Sequence, residues 1–174
     1  QLPENCTEAP FTLQVRRAGN GENEPMEILG ATAVMEKDLR SYRIYLADYE
    51  LDPNESVYTL AQQIPEGKMM ITIGLQTDHG NAAPPIEKWK KLKVGDVAMA
   101  INESRGALKG KDPNGEPIST VWMNTKDGPT SRTSDRKTRM KVLHVSENWV
   151  CLEADVTSSQ GIQLSGIITA KVRP

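Results

Sequence analysis

Between Met140 and Val172 apolar and polar residues alternate with few interruptions, and that period of two limits what the chain can fold into. Val150, Leu152, Ala154 and Val156 share one side of a strand, while Trp149, Cys151, Glu153 and Asp155 share the other. Ile162, Leu164, Gly166, Ile168, Ala170 and Val172 line one face of the next. The separators, Ser146 to Asn148 and Thr157 to Gly161, have hairpin length. Residues 140–145, 149–156 and 162–172 therefore read as an antiparallel meander.

The same reading extends upstream. Phe11 to Arg17 predicts a strand with Phe11, Leu13 and Val15 inward, and Met26 to Lys37 a longer one with Gly30 as a bend. Further strands are expected at 42–48, 69–76, 97–102 and 119–125. Residues 57–63 fit either a short strand or a single helical turn. Ile86, Trp89 and Leu92 fall three apart among lysines, which predicts one short helix near 86–93 over a barrel mouth or sheet edge. Residues 103–117 and 126–138 are polar and read as exposed loops. The fold class is mainly β, an antiparallel β-sandwich or up-and-down β-barrel of about 8–9 strands. An N-terminal arm, 1–10, precedes a single β-domain, 11–174.

The chain has two cysteines, one in each of these parts. Cys6 lies in the arm. Cys151 lies on the polar side of its strand, facing away from the expected core, where the arm can reach it. A Cys6–Cys151 disulfide is expected, and with it an oxidising compartment. The first residue is Gln1, with no basic-then-apolar leader after it, which fits a secreted, periplasmic or cell-surface protein whose leader has been removed. No apolar run approaches the roughly 20 residues of a membrane span.

Net charge is −2, which argues against a general nucleic-acid binder. It is unevenly spread: residues 1–87 hold 6 basic against 14 acidic side chains, and residues 88–174 hold 15 against 9. Two halves of opposite sign predict ion pairs between them across one sheet system. They also suggest self-assembly through oppositely charged faces.

Few residues carry a candidate chemistry. Asp48, Glu50, Asp52 and Asn54 alternate like the start of a calcium loop, but Pro53 stands where such a loop needs glycine. They make a weak calcium site at most. His79 and His144 have no partner at metal-ligand spacing, so no metal is expected. The stretch from Gly106 to Asp112 is one residue short of a phosphate loop and ends in Asp. No G-x-S-x-G nucleophile elbow occurs. Arg132, Arg136, Lys137 and Arg139 form a basic stretch suited to an anionic partner, and Trp122 and Trp149, on the side opposite the core, could stack on a ligand.

The pattern Val150-x-Leu152-x-Ala154 followed by Leu164-x-Gly166-x-Ile168-x-Ala170 resembles the ending of small secreted or envelope β-sandwich domains of bacteria. That resemblance covers about 30 residues. It implies the fold and an exported location, with no catalytic residues. The expectation from the whole chain is a non-enzymatic, extracytoplasmic binding or assembly module without a cofactor, whose partner is a protein or a glycan. The alternatives are a barrel with an internal apolar ligand pocket and a hydrolase acting on glycans.

Overall fold

A computed structural model describes residues 1–17, 21–79, 84–103, 115–133, 137–158 and 161–174. Among them are eleven strands: β1 Phe11–Arg16, β2 Glu24–Ile28, β3 Gly30–Glu36, β4 Ser41–Ala47, β5 Met70–Asp78, β6 Val97–Ala98, β7 Glu116–Thr125, β8 Gly128–Thr133, β9 Lys137–Val145, β10 Trp149–Thr157 and β11 Gln163–Val172. They hydrogen-bond in the order β6-β9-β10-β11-β3-β4-β5-β7-β8. A bridge from Met99, just beyond β6, to Ile118 on β7 brings the two ends of the ring together. The result is a nearly closed β-barrel, with the β1–β2 ribbon branching from β11.

The expected alternation holds where it was clearest. Val150, Leu152, Ala154 and Val156 of β10 and Ile162, Leu164, Ile168 and Ala170 at β11 are buried in one core with Leu13 and Val15 of β1. Ile44, Leu46, Ile71, Ile73, Val121 and Met123 fill it from the opposite side. Two contacts around the ring are not antiparallel, the Met99–Ile118 bridge and one strand pairing. β11 pairs with β3 in parallel over Lys171–Thr32 and Val172–Ala33. No hairpin joins these two strands, so nothing local forces opposite directions where the C-terminal strand meets the early one. Residues 26–37 form two strands, broken at Leu29. A Cβ on Gly30 would sit 2.6 Å from Leu51 Cγ and 2.7 Å from the Tyr49 carbonyl, so only glycine lets that loop close on the bend.

Two further expectations are corrected, and the alternative left open at 57–63 is resolved as a helix. Residues 126–138 are not all loop: β8 runs back along β7, with Thr125 opposite Gly128. Lys126-Asp127 forms this two-residue turn and Gly128, at φ 113°, opens β8 after it, a hairpin signal that the lack of apolar residues hid. The helix near 86–93 reduces to the 3-10 turn Ile86–Lys88. Apolar spacing of three suits that tighter coil, and the chain then extends to place Leu92, 2% exposed, in the core. The Leu92 amide donates to the Leu39 carbonyl at 2.9 Å, so this strap is tied to the β3–β4 turn. The single α-helix described by its full bounds is α1, Val57–Gln62, capped by the Ser56 hydroxyl.

Candidate functional site

The outer surface of the barrel, rather than its interior, offers the candidate site, because core side chains fill the inside. Tyr42, Ile44, Leu46, Ile71, Ile73 and Leu75 are each at most 1% exposed and point inward from β4 and β5. The Tyr42 hydroxyl spans to the β9–β10 turn and donates to the Ser146 carbonyl at 2.8 Å. Such a packed interior gives no support to an internal ligand pocket.

On the outside of β4, β5 and β7 the register lays out three cross-strand rows: Tyr45–Thr72–Trp122, Arg43–Gly74–Thr120 and Ser41–Gln76–Ile118. Partners in a row project from the same face. Part of this wall is covered. Tyr45 and Met70 are buried with Leu60 of α1 and Ile64, in a small apolar cluster of their own. Beyond the helix the wall is open and polar. Gly74 contributes no side chain to the middle row, which leaves a furrow of about 350 Å³ lined by Ser41, Arg43, Thr72, Gln76, Thr120 and Trp122. A Cβ on Gly74 would lie 2.9 Å from Thr120 Oγ1 and fill its floor. Asn124 Nδ2 braces Thr72 Oγ1 at 3.3 Å. Arg43 is exposed and makes no ion pair among the described residues. A side-chain hydrogen bond to Tyr45 raises the pKa of its guanidinium further.

The opposite wall, β9–β10–β11, is covered by the arm around Cys151 and Thr169, while Glu153, Asp155, Ser165 and Lys171 stay exposed. Cys6 and Cys151 are joined, with Cα atoms 6.1 Å apart. Cys151 faces outward yet is fully buried, as is its row partner Thr169 at 1% exposure, because the arm lies over both. Cys6 itself is buried, although its own sequence surroundings offer no apolar pattern. His144, in register with Cys151 on β9, is half-buried here, and burial lowers its pKa below the usual imidazole value. The amino group of Gln1 adds to that effect, so the arm reaches β9.

A second depression of about 590 Å³ lies where the arm residues Glu8 and Ala9, the start of β3, the 50–54 loop and residues 171–174 meet. Its arginine is already committed. Arg173 donates to Thr32 Oγ1 at 2.8 Å, to the carbonyls of Asp52 at 3.0 Å and Pro53 at 3.2 Å, and to that of Glu55. The residues read as a weak calcium site, Asp48, Glu50, Asp52 and Asn54, belong to this loop. The loop carbonyls are held by a guanidinium, Asp48 accepts from the Met69 amide at 3.0 Å, and Asp52 accepts from the Asn54 amide at 2.8 Å. Among the described residues no group of three His, Cys, Asp or Glu side chains could hold a metal.

The basic stretch is dispersed as well. Lys137 pairs with Asp155 at 3.2 Å and Arg139 with Glu103 at 2.8 Å. Arg132 falls on β8 in register with Trp122, and Arg136 lies outside the described residues. Trp149 opens β10, opposite Lys171, and is not brought to Trp122, since β10 and β7 are not neighbours. Of the four ion pairs among the described residues only Lys91–Asp38 joins the two halves of opposite charge. The furrow residues other than Trp122 were not singled out in the sequence. The one local signal was Gly74 inside an otherwise β-rich run.

No family model, curated protein or solved structure matches the chain. No described helix is long and apolar enough to cross a membrane.

Proposed function

We propose that this chain is a non-enzymatic binding module that works outside the cytoplasm and holds a protein or glycan partner against the open outer wall of its barrel. The observation that carries the reading is the furrow at Gly74. It is a concave site of ligand size, with an aromatic wall, uncommitted hydrogen-bonding groups and a cation on its rim. Support for the location is the joined cysteine pair, since such bonds persist in oxidising compartments. Rigidity supports the binding role: strands joined on both sides and a filled core hold the furrow without a conformational step.

Gly74→Val tests the reading. It fills the furrow with a β-branched residue suited to a strand, and Thr120 can rotate its hydroxyl aside. Fluorescently labelled wild type should decorate intact cells or extracellular material of the protein's source, and the folded variant should not. Equal decoration by both, or by neither, would overturn the proposal.

A further inference from the structure

The side chains around the furrow narrow the partner to one chemical class. We infer that it takes a saccharide bearing a carboxylate, with the sugar ring against Trp122 and the carboxylate on Arg43. The inference rests on the binding role proposed above and deepens it. Three features of the wall carry it.

First, the shape follows from the register. Gly74 sits between Arg43 and Thr120 in one row, so the missing side chain lies between a cation and a hydroxyl. Trp122 bounds the furrow from the next row, beside Thr72. An indole presents a flat apolar face with a negative centre, which suits the polarised C–H face of a pyranose ring. Second, the polar lining is built of neutral donor–acceptor groups. Ser41, Gln76 and Thr120 make no side-chain hydrogen bond among the described residues and can each both give and accept one. Vicinal hydroxyls need that dual capacity, whereas a hydrocarbon ligand would leave these groups unpaired.

Third, charge complementarity sets the sign. Among the described residues Arg43 is the only charged side chain lining the furrow. Glu36, one row away on β3, contributes to its field, but the two form no ion pair. A guanidinium with free N–H groups matches a carboxylate by a two-point hydrogen bond. A long sulfated or nucleic-acid polyanion fits less well, because Lys137 and Arg139 are paired on β9 rather than aligned with Arg43.

Calorimetry and tryptophan fluorescence with tetragalacturonate and sialyllactose as probes, and maltotetraose as the neutral comparison, test the inference. Wild type should bind at least one carboxylated probe, at least tenfold more tightly than maltotetraose, and should weaken as salt is raised. Arg43→Gln should lower that affinity about tenfold while leaving the unfolding midpoint in place. Arg43→Lys should restore only part of it. Trp122→Phe should keep binding but abolish the emission change, which separates Trp122 from Trp89 and Trp149. Equal affinity for the neutral probe, no effect of Arg43→Gln, or no binding of either acidic probe would each overturn the acidic-saccharide assignment. If cells are still decorated in a Gly74-dependent way after such a result, the partner is a protein or a neutral glycan and the binding role survives. If decoration is also independent of Gly74, both fall.

Discussion

The two outer walls of this barrel are built by the same rule and used in opposite ways. On β9–β10–β11 the outward Cys151 and Thr169 are small, and the arm lies on them, so this patch of the wall has become a second layer of the core. On β4–β5–β7 the outward Arg43, Gln76 and Thr120 are polar, α1 stops short of them, and the wall stays open. A strand with its inner face fixed by the core is free to vary its outer face, and here that freedom separates a structural wall from a recognition wall. The difference predicts where substitutions are felt. Changes on the covered wall should cost stability, and changes on the open wall should cost binding.

The largest effect is expected from the disulfide. Replacing Cys6 and Cys151 together by alanine removes a link across 145 residues and should destabilise the domain by about 2–5 kcal/mol. It should also expose residues 1–10 to protease well before global unfolding. Gln76→Ala on the open wall should stay within about 0.5 kcal/mol. Urea unfolding of the two variants compares the walls directly, and similar losses in both would erase the distinction. Next is Arg173→Ala, which strips a half-buried guanidinium from Thr32 and three loop carbonyls. A loss of about 1–3 kcal/mol is expected, and Arg173→Lys should not recover it, since a single ammonium cannot reach carbonyls on both sides of the loop. Full recovery by lysine would mean that the guanidinium fork is not what holds the 52–55 loop.

How far these features could be read from the sequence depended on how local their causes are. The alternation of Val150 to Val156 is written in consecutive residues, so β10 and its pairing with β11 were legible. Cys151 was legible for the same reason: its parity put it outside, where a disulfide to the arm could form. β8 was lost because its sequence, Gly128 to Thr133, has no apolar alternation to display, even with Gly128 marking where the turn ends. The furrow was not legible at all. Gly74 reads as a weak point in a strand until three separate strands bring Arg43, Thr120 and Trp122 around it. Arg173 is the same case, a terminal residue whose partners lie about 120 positions earlier.

The smallest expected effect belongs to His144 and tests the covered wall alone. Burial, with the amino group of Gln1 nearby, lowers the His144 pKa in the folded chain, whereas the unfolded chain keeps the ordinary value near 6.5. Between the two values the unfolded state binds the extra proton. The contribution to stability is therefore complete above about pH 6.5 and is lost as pH falls through the folded value. The urea midpoint should drop between pH 7.5 and 5.5 by more in wild type than in His144→Asn, whose residual slope reports all other groups. The same pair of measurements on the Cys6→Ala, Cys151→Ala background should show no such difference, because a released arm leaves the imidazole hydrated. A histidine-dependent slope that survives release of the arm would place the cause of the shift in the strands themselves, and the arm would no longer explain why this patch of the wall is buried.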